Sequence, residues 1–358
     1  MFDVSDLAIV APGIRYAEEC VFHVGCDALV RRPRGWRERL TPMKQATARH
    51  DTPLLGFVGL GNMGAPICLR LLQHGYQVTV FDVERERMNH LVEAGARAAD
   101  SLAALGAASD VVLLSLPTST IIEEVTLSPD GLAHTMRAGS ALIDLSSAQP
   151  SSSRRIASEL ATRGVSMLDA PVSGGVPRAR DGDLTVMAGG DPELFERYRP
   201  ILEAFSSAQF HVGPVGAGDL VKALNNLLSA TTLASAAEVV SLAERAGLDP
   251  ERFIDVVNRS SGRSNSTEVK FPRYILNHSF ADGFALALMD KDVHIALQAA
   301  AEIGAPLPIG SLVARIWRSA AEAGFAQQGH TAIYAYLEER LRESGEALSP
   351  VAPEQELD

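Results

Sequence analysis

The chain has 358 residues, of which 46% are hydrophobic and 21% charged, and its 44 acidic and 32 basic side chains give a formal net charge of −12. This length and apolar content suffice for roughly two to three folded domains and exclude disorder of the whole chain. The acidic balance argues against a nucleic-acid partner, which requires a basic surface, so an anionic ligand needs a local positive site. The lysines among the basic residues are Lys44, Lys222, Lys270 and Lys291.

Cysteine content and hydropathy indicate the compartment. Cys20, Cys26 and Cys68 cannot make a disulfide framework, which favours a reducing environment. No apolar run approaches the length of a membrane span, and Asp3 and Asp6 are unlike the start of a signal peptide. We therefore predict a cytoplasmic protein without a membrane partner, and the scattered histidines predict no metal site.

The two ends of the chain differ from its middle. Residues 1–50 carry a net charge of +2, and their arginine-rich segment Arg31–Arg39 has no helical or strand period. We predict a disordered or dispensable extension here, with Met43 as a candidate initiator. Residues 346–358 are rich in proline and acidic side chains and are predicted to be a flexible tail.

From Leu54 onward, apolar runs alternate with amphipathic stretches of helical length. The predicted strands are Leu54–Val58, Gln77–Phe81, Val111–Leu116, Ala141–Leu145, Ser166–Asp169, Leu184–Ala188 and Phe210–Val212. Helices are predicted between most of them, for example at Met63–His74, Arg85–Ala94 and Ser152–Thr162. Since alternating strands and helices are typical of a parallel sheet, we predict an α/β Rossmann-type doubly wound parallel sheet over residues 51–213.

An all-α C-terminal domain is predicted to follow over residues 214–345. Its first helix, Asp219–Ala246, is about 40 Å long and apolar on nearly all sides, as expected of a helix buried in a core or under a partner subunit. Further helices are predicted at Pro250–Asn258, Phe284–Ile303, Pro308–Ala323 and Thr331–Leu341. We predict that this domain takes part in oligomerisation and, through Lys222, in the substrate site.

A glycine-rich turn follows the first predicted strand and opens a helix. Its residues are Gly59, Leu60, Gly61, Asn62, Met63 and Gly64. This spacing is typical of a dinucleotide site, where the glycines allow a tight turn and close approach of the pyrophosphate to the helix N-terminus. Asp82 ends the next strand, where a carboxylate would bind the ribose hydroxyls and repel a 2′-phosphate. The pattern favours NAD as cofactor, although Arg85 leaves NADP open.

Two further strand ends are candidates for the same site. Leu116, Pro117 and Thr118 follow one strand, and Ser146 and Ser147 follow another. The carboxyl ends of parallel strands meet where ligands bind in open sheets. Each segment is equally consistent with an ordinary exit from a strand into a loop.

Ser173, Gly174 and Gly175 form a third candidate site. Glycines let backbone amides turn towards a small anion, and the serine hydroxyl adds a donor. The segment therefore predicts a carboxylate-binding loop, with a purely structural glycine loop as the alternative.

Lys222 lies near the start of the long apolar helix, on the same side as Asn225 and Asn226. Burial lowers the pKa of a lysine, which then serves as a general base towards a hydroxyl or a general acid towards a carbonyl. The alternative is a structural lysine whose ammonium reaches water. For Lys291, which precedes Asp292, the residues alone favour an ordinary surface ion pair.

With these motifs in order, the chain resembles the β-hydroxyacid dehydrogenase family, most closely its 3-hydroxyisobutyrate dehydrogenase members. The matching segments are GFVGLGNMG, LPTS, DAPVSGG, GDLVKALNN, SSGR and LMDKD. The resemblance implies that Ser173, Gly174 and Gly175 bind the substrate carboxylate. It also implies that Lys222 is the catalytic acid/base, that Asn226 orients the substrate and that Lys291 lies against the nicotinamide end of the cofactor.

The chain departs from this resemblance at Ser264 and Asn265, where a Cys-Trp pair is expected, and at the segment GHTAIYAYLEE. These departures imply a more polar wall beside the substrate. The predicted activity is NAD-dependent oxidation of a short-chain 3-hydroxy acid to its semialdehyde, or the reverse. Reduction of tartronate or succinic semialdehyde and oxidation of threonate or serine are alternatives, and a non-catalytic NAD-binding module is an alternative of another class. The exposed apolar surface expected of the helical domain predicts a homodimer or homotetramer.

Overall fold

The computed structural model of the protein describes residues 52–345. The predicted extension over residues 1–50, the candidate initiator Met43 and the tail over 346–358 lie outside the described residues.

Nine strands form one sheet in the described chain. They are β1 (Leu55–Val58), β2 (Val78–Phe81), β3 (Arg97–Ala98), β4 (Val111–Leu114), β5 (Ala141–Asp144), β6 (Ser166–Asp169), β7 (Val172–Ser173), β8 (Leu184–Gly189) and β9 (Ser206–Gly213). Their order is β3-β2-β1-β4-β5-β6-β8-β7, with β9 beside β8. The pairs from β3 to β6 are parallel, and this strand order is that of a Rossmann fold.

The central strands are apolar because both faces of the sheet are covered. Every residue of β1, β4 and β5 is buried, as expected of parallel strands between two helical layers. The register aligns Val58 with Leu114, and Leu114 with Asp144, so the carboxyl ends of these strands lie at one edge. That edge carries the predicted site residues that follow β1, β4 and β5.

Helices cover the sheet and dominate the region that follows it. They are α1 (Gly64–Gln73), α2 (Glu86–Glu93), α3 (Leu102–Ala108), α4 (Ser119–Leu127), α5 (Pro150–Ala161), α6 (Gly175–Asp181), α7 (Pro192–Glu203), α8 (Ala217–Arg245), α9 (Pro250–Asn258), α10 (Leu286–Glu302), α11 (Pro308–Ala320) and α12 (Ile333–Gly345). Wider helical turns occupy Ser266–Ile275 and Ala321–Phe325, and short tight turns occupy Leu132–His134 and His330–Ala332. The predicted parallel sheet followed by a helical region is confirmed.

The structure adds details that the sequence pattern did not predict. β7 pairs antiparallel with β8, and so does the end of β6, although β8 and β9 are parallel. β3 and β7 were missed because two residues are too few to show a period. β9 begins at Ser206, several residues before the predicted Phe210.

The 29-residue helix α8 organises the helical part and packs against α10, α11 and α12. By length and composition alone it could cross a membrane, with a mean hydropathy of 1.2 in its most apolar window. Half of that window is buried inside the protein. The buried half fills the core of this region.

Candidate active site

The glycine turn after β1 has the backbone geometry that its spacing predicts. Gly59 has a φ of +91°, and a Cβ there would lie 2.3 Å from the carbonyl oxygen of Ser115. A Cβ on Gly64 would lie 1.9 Å from the carbonyl oxygen of Gly59. A Cβ on Gly61 would instead meet only Arg87, at 3.7 Å. The first and third glycines thus allow α1 to pack against β1 and β4, and the second leaves open space above the turn.

The same turn presents unused backbone donors. Within the described residues, the amides of Gly61, Asn62 and Met63 donate to no protein acceptor. They lie at the N-terminus of α1, beside a cleft of about 660 Å³ that Arg87 and His90 also line. Free amides at a helix N-terminus suit the pyrophosphate of a dinucleotide, so these residues fit the predicted cofactor.

Asp82 follows β2 and lies against the turn. Its carboxylate, 5% exposed, accepts hydrogen bonds from the amides of Leu60 at 2.7 Å and Glu84 at 2.9 Å. Arg87 Nη1 lies 3.8 Å away. The carboxylate therefore fixes the turn, and since each of its oxygens has more than one lone pair, it retains capacity to accept from a ribose hydroxyl.

The other two strand ends meet at the same edge of the sheet. The amide of Leu116 donates to Oγ of Ser146 at 2.9 Å, which joins the segment after β4 to the segment after β5. Pro117 is exposed beside them. The carbonyl oxygen of Ser147 accepts a 2.7 Å hydrogen bond from Nζ of Lys291, so this loop also contacts α10.

The Ser-Gly-Gly segment runs from the last residue of β7 to the first residue of α6. Ser173 pairs with Thr185 of β8, and both Gly174 and Gly175 adopt positive φ, at +140° and +72°. Ser173 is half-buried and Gly175 is exposed. The two glycines turn the backbone between strand and helix, a conformation that exposes amides to a small anion.

Two buried carboxylates anchor the start of α8. Asp169, at the end of β6, accepts from the amides of Gly216 at 2.8 Å and Asp219 at 3.0 Å. Asp219 in turn accepts from the amide of Ala148 at 3.2 Å and from Oγ of Ser153 at 2.6 Å. Because Lys222 lies one turn after Asp219, these bonds fix its position relative to the sheet edge.

Burial raises the pKa values of the carboxyl groups around the start of α8. It raises the pKa of Asp169, and it raises that of Asp219 well above its ordinary value, with a further contribution from the charge of Asp169. Burial also raises the pKa of Asp144 to about 6. Gly218 permits the close packing, because a Cβ there would lie 2.3 Å from the carbonyl oxygen of Met187.

A polar network joins α8 to α10. Asn226, 5% exposed, donates from Nδ2 to Oδ2 of Asp292 at 2.6 Å, and Asn225 donates to Oδ1 of Asn226 at 3.1 Å. Nζ of Lys291 lies 2.8 Å from Oδ1 of Asp292, as an ion pair without hydrogen-bond alignment. The network brings the two predicted lysine motifs together and connects them to Ser147.

Lys222 lies beside this network. It is half-buried, and within the described residues its Nζ has no hydrogen-bond partner. Loss of hydration lowers the pKa of its ammonium, the charge of Asp292 opposes that shift, and the charge of Lys291 supports it. A lysine in this environment loses its proton more readily than an exposed lysine, which suits it to proton transfer.

The sequence interpretation left out four residues of this region. Asp292 was noted only as a neighbour of Lys291, and Asp144, Asp169 and Asp219 had no assigned role. Adjacency to a site motif was the available signal for Asp292 and Asp219, while parallel register could have paired Asp144 with Asp169.

Ser264 and Asn265 are the residues that were expected to form a polar wall beside the substrate. Oγ of Ser264 accepts from the amide of Thr267 at 3.3 Å, and Asn265 is exposed. No hydrogen bond links either residue to Lys222 or Asn226 in the part of the chain that the structure describes. Over the same part, no group of three or more acidic, histidine or cysteine side chains could hold a metal ion.

Two family models match most of the chain. Residues 54–213 match the NAD binding domain of 6-phosphogluconate dehydrogenase. Residues 216–337 match a model described as the NAD-binding of NADP-dependent 3-hydroxyisobutyrate dehydrogenase. NAD(P) binding is common to both descriptions, and they do not distinguish NAD from NADP.

Relatives of similar length are also dehydrogenases. The chain is 38% identical over 279 residues to 2-(hydroxymethyl)glutarate dehydrogenase of Eubacterium barkeri, covering 78% of this chain and 93% of that protein. It is 37% identical over 285 residues to the NAD-dependent L-serine dehydrogenase of Pseudomonas aeruginosa, covering 78% and 96%. The solved structure of Mycobacterium tuberculosis 3-hydroxyisobutyrate dehydrogenase with L-serine matches with a TM-score of 0.74 and 32% identity, covering 80% and 99%. The chain therefore belongs to the β-hydroxyacid dehydrogenase family and is an NAD(P)-dependent oxidoreductase that acts on CH–OH groups.

Proposed function

We propose that the protein oxidises a short-chain 3-hydroxy acid to its semialdehyde with NAD, or catalyses the reverse, and that Lys222 is the general acid/base. The observation that carries this proposal is the arrangement of Lys222 beside the Asn226–Asp292–Lys291 network. It supplies a lysine with a lowered pKa next to an amide whose orientation is fixed. A non-catalytic NAD-binding module would not require either feature.

Each residue has a defined task in this proposal. The amides and hydroxyl of Ser173, Gly174 and Gly175 bind the substrate carboxylate. Neutral Lys222 accepts the hydroxyl proton at Nζ in the oxidising direction and returns it in the reducing direction. Asn226 orients the substrate, supported by Asn225.

The cofactor is assigned to the edge formed by the ends of β1, β2, β4 and β5. It would be held by Gly59, Leu60, Gly61, Asn62, Met63, Gly64, Asp82, Leu116, Pro117, Ser147 and Lys291. A bound nicotinamide dinucleotide supplies the hydride acceptor in the oxidising direction. The buried carboxylate of Asp82 favours NAD because it would repel a 2′-phosphate.

L-serine is a second candidate substrate. It carries the same carboxylate and hydroxymethyl group as 3-hydroxyisobutyrate, and one relative is named an L-serine dehydrogenase. The solved structure matched above contains L-serine. Tartronate and succinic semialdehydes and threonate remain alternatives because each combines a carboxylate with a reducible aldehyde or an oxidisable hydroxyl.

A substrate screen tests the proposal. Purified protein is mixed with NAD or NADP and each of 3-hydroxyisobutyrate, L-serine, threonate and 4-hydroxybutyrate, and reduced nicotinamide is followed by absorbance. We expect oxidation of at least one acid, with higher kcat/KM for NAD than for NADP. Clear NAD binding without oxidation of any acid would instead favour the non-catalytic module.

We propose the following organisation. Residues 51–213 bind the cofactor, and residues 214–345 complete the substrate site and form the contact between subunits. The protein is expected to be a cytoplasmic homodimer or homotetramer. The proposed subunit contact is supported by exposed apolar side chains on one side of α8. They are Val221, Leu224, Leu228, Val239 and Leu242.

A further inference from the structure

Lys270 is a buried cation with an unusual lack of partners. It lies in the helical turns over Ser266–Ile275 and is 8% exposed. Its Nζ donates to Oγ of Ser229 at 2.8 Å. An ammonium carries three donors, and Ser229 is its one hydrogen-bond acceptor within the described residues.

The nearby carboxylate does not fill this gap. Asp282 accepts from the amide of Phe284 and from Nδ1 of His330 on one oxygen, and from the amide and hydroxyl of Thr331 on the other. These four bonds use the usual capacity of a carboxylate. Asp282 therefore acts on Lys270 only through its field, while burial lowers the pKa of Lys270 to about 8. The lysine is still largely protonated at neutral pH.

Ser229 places this cation along the proposed substrate face of α8. It follows Lys222 by seven residues and Asn226 by three, so helical geometry puts all three on one side of α8. The axial rise from Lys222 to Ser229 is about 10 Å, and from Asn226 it is about 4.5 Å. A positive charge thus lies about one helical turn beyond the residue that orients the substrate.

We propose that Lys270 and Ser229 form a second anion subsite, which binds a carboxylate on a side arm of the substrate. This inference rests on the proposed function and names its substrate class: 3-hydroxy acids with a second carboxylate. A buried ammonium with one neutral hydrogen-bond acceptor and no carboxylate in direct contact is unfavourable, and a substrate carboxylate would supply such a contact. The acid named for the Eubacterium barkeri relative, 2-(hydroxymethyl)glutarate, has such an arm.

Three substrates that share the same carboxylate and hydroxymethyl group, and differ only in the side arm, test the subsite. 3-Hydroxyisobutyrate has a methyl arm, 2-(hydroxymethyl)glutarate has a carboxyethyl arm, and 2-(hydroxymethyl)pentanoate has an uncharged arm of similar length. We expect the wild type to have the highest kcat/KM for the dicarboxylate. Lys270→Met should lower that value by about 10- to 100-fold, mainly through KM, and change the value for 3-hydroxyisobutyrate less than threefold.

Ser229→Ala is the second variant, because it keeps the charge of Lys270 and removes the hydrogen-bond acceptor that Ser229 provides to that lysine. It should weaken the preference for the dicarboxylate less than Lys270→Met does. Equal loss on all three substrates in Lys270→Met, or no wild-type preference for the dicarboxylate over the uncharged analogue, would overturn the subsite. The proposed function would stand in both cases if 3-hydroxyisobutyrate is oxidised.

Direct binding separates the two proposals. Calorimetry with NAD present measures the dissociation constants of two non-reacting probes, glutarate and butyrate. We expect glutarate to bind at least tenfold more tightly, and Lys270→Met to remove that difference. Preferential glutarate binding without oxidation of any hydroxy acid would support the subsite and contradict the proposed function, whereas equal binding of the two probes would contradict the subsite.

Discussion

Asn226 donates a 2.6 Å hydrogen bond to Asp292, and this bond joins α8 to α10 one turn from Lys222. Asp292 is 1% exposed, so its charge acts on its neighbours with little screening by water. The adjacent Lys291 extends the connection to the carbonyl oxygen of Ser147 after β5. The sheet edge and the two helices are therefore held in one arrangement around the proposed acid/base.

The first prediction concerns the proton transfer. Lys222→Ala removes the proposed base and should lower kcat by at least about 10²-fold, the usual contribution of a positioned acid or base. NAD affinity, measured by calorimetry, should stay nearly unchanged because Lys222 is not among the proposed cofactor residues. Glu238→Ala is a matched control, since Glu238 is exposed on the same helix. A fully active Lys222→Ala enzyme would refute the assignment.

The second prediction is a pH dependence. Oxidation requires neutral Lys222, so kcat/KM should rise with pH and level off above the pKa of Lys222, which burial lowers. The charge of Asp292 raises that pKa. Asp292→Asn removes the charge and keeps the side-chain shape, so the rise should move to lower pH.

Asp290→Asn is the control for this shift. Asp290 lies on the same helix but pairs with Arg318 and His294. Its variant should keep the wild-type pH profile. A profile that moves to higher pH in Asp292→Asn, or moves equally in both variants, would contradict a direct effect of Asp292 on Lys222.

The fold was predictable because its signals are local. Apolar runs marked β1, β4 and β5, and the glycine spacing marked the turn whose positive φ at Gly59 the structure shows. The antiparallel pairing of β7 depends on partners distant in sequence, and its two residues have no period.

The candidate site was predictable only as separate motifs. The contact between Asn226 and Asp292 spans 66 residues and depends on how α8 packs against α10. That Lys270 forms no hydrogen bond with a carboxylate among residues 52–345 likewise depends on the four donors that occupy Asp282. Neither relationship is encoded in the spacing of a motif.

The third prediction concerns cofactor preference. Asp82→Asn keeps an acceptor for the amide of Leu60, and it removes the charge expected to repel a 2′-phosphate. It also removes the longer of two carboxylate contacts of Arg87, at 3.8 Å, while the 2.6 Å ion pair of Arg87 with Glu84 stays in place. We expect the ratio of kcat/KM for NAD to that for NADP to fall by about tenfold or more, since one charge-assisted interaction is involved. An unchanged ratio would contradict the role of Asp82 in discrimination.

The last prediction concerns assembly. Leu224, Leu228, Val239 and Leu242 are 43–66% exposed and lie on one side of α8, turned about 100–160° away from Lys222 around the helix axis. Burying one such side chain in each subunit contributes about 1.5–3 kcal/mol, so a charge in this stripe should disrupt a homodimer. Leu228→Glu should shift the protein to monomer in light scattering at micromolar concentration. Val92→Glu, at an exposed apolar position on α2, should keep the oligomer. A wild-type monomer, or an oligomer that Leu228→Glu leaves intact, would exclude this face as the contact.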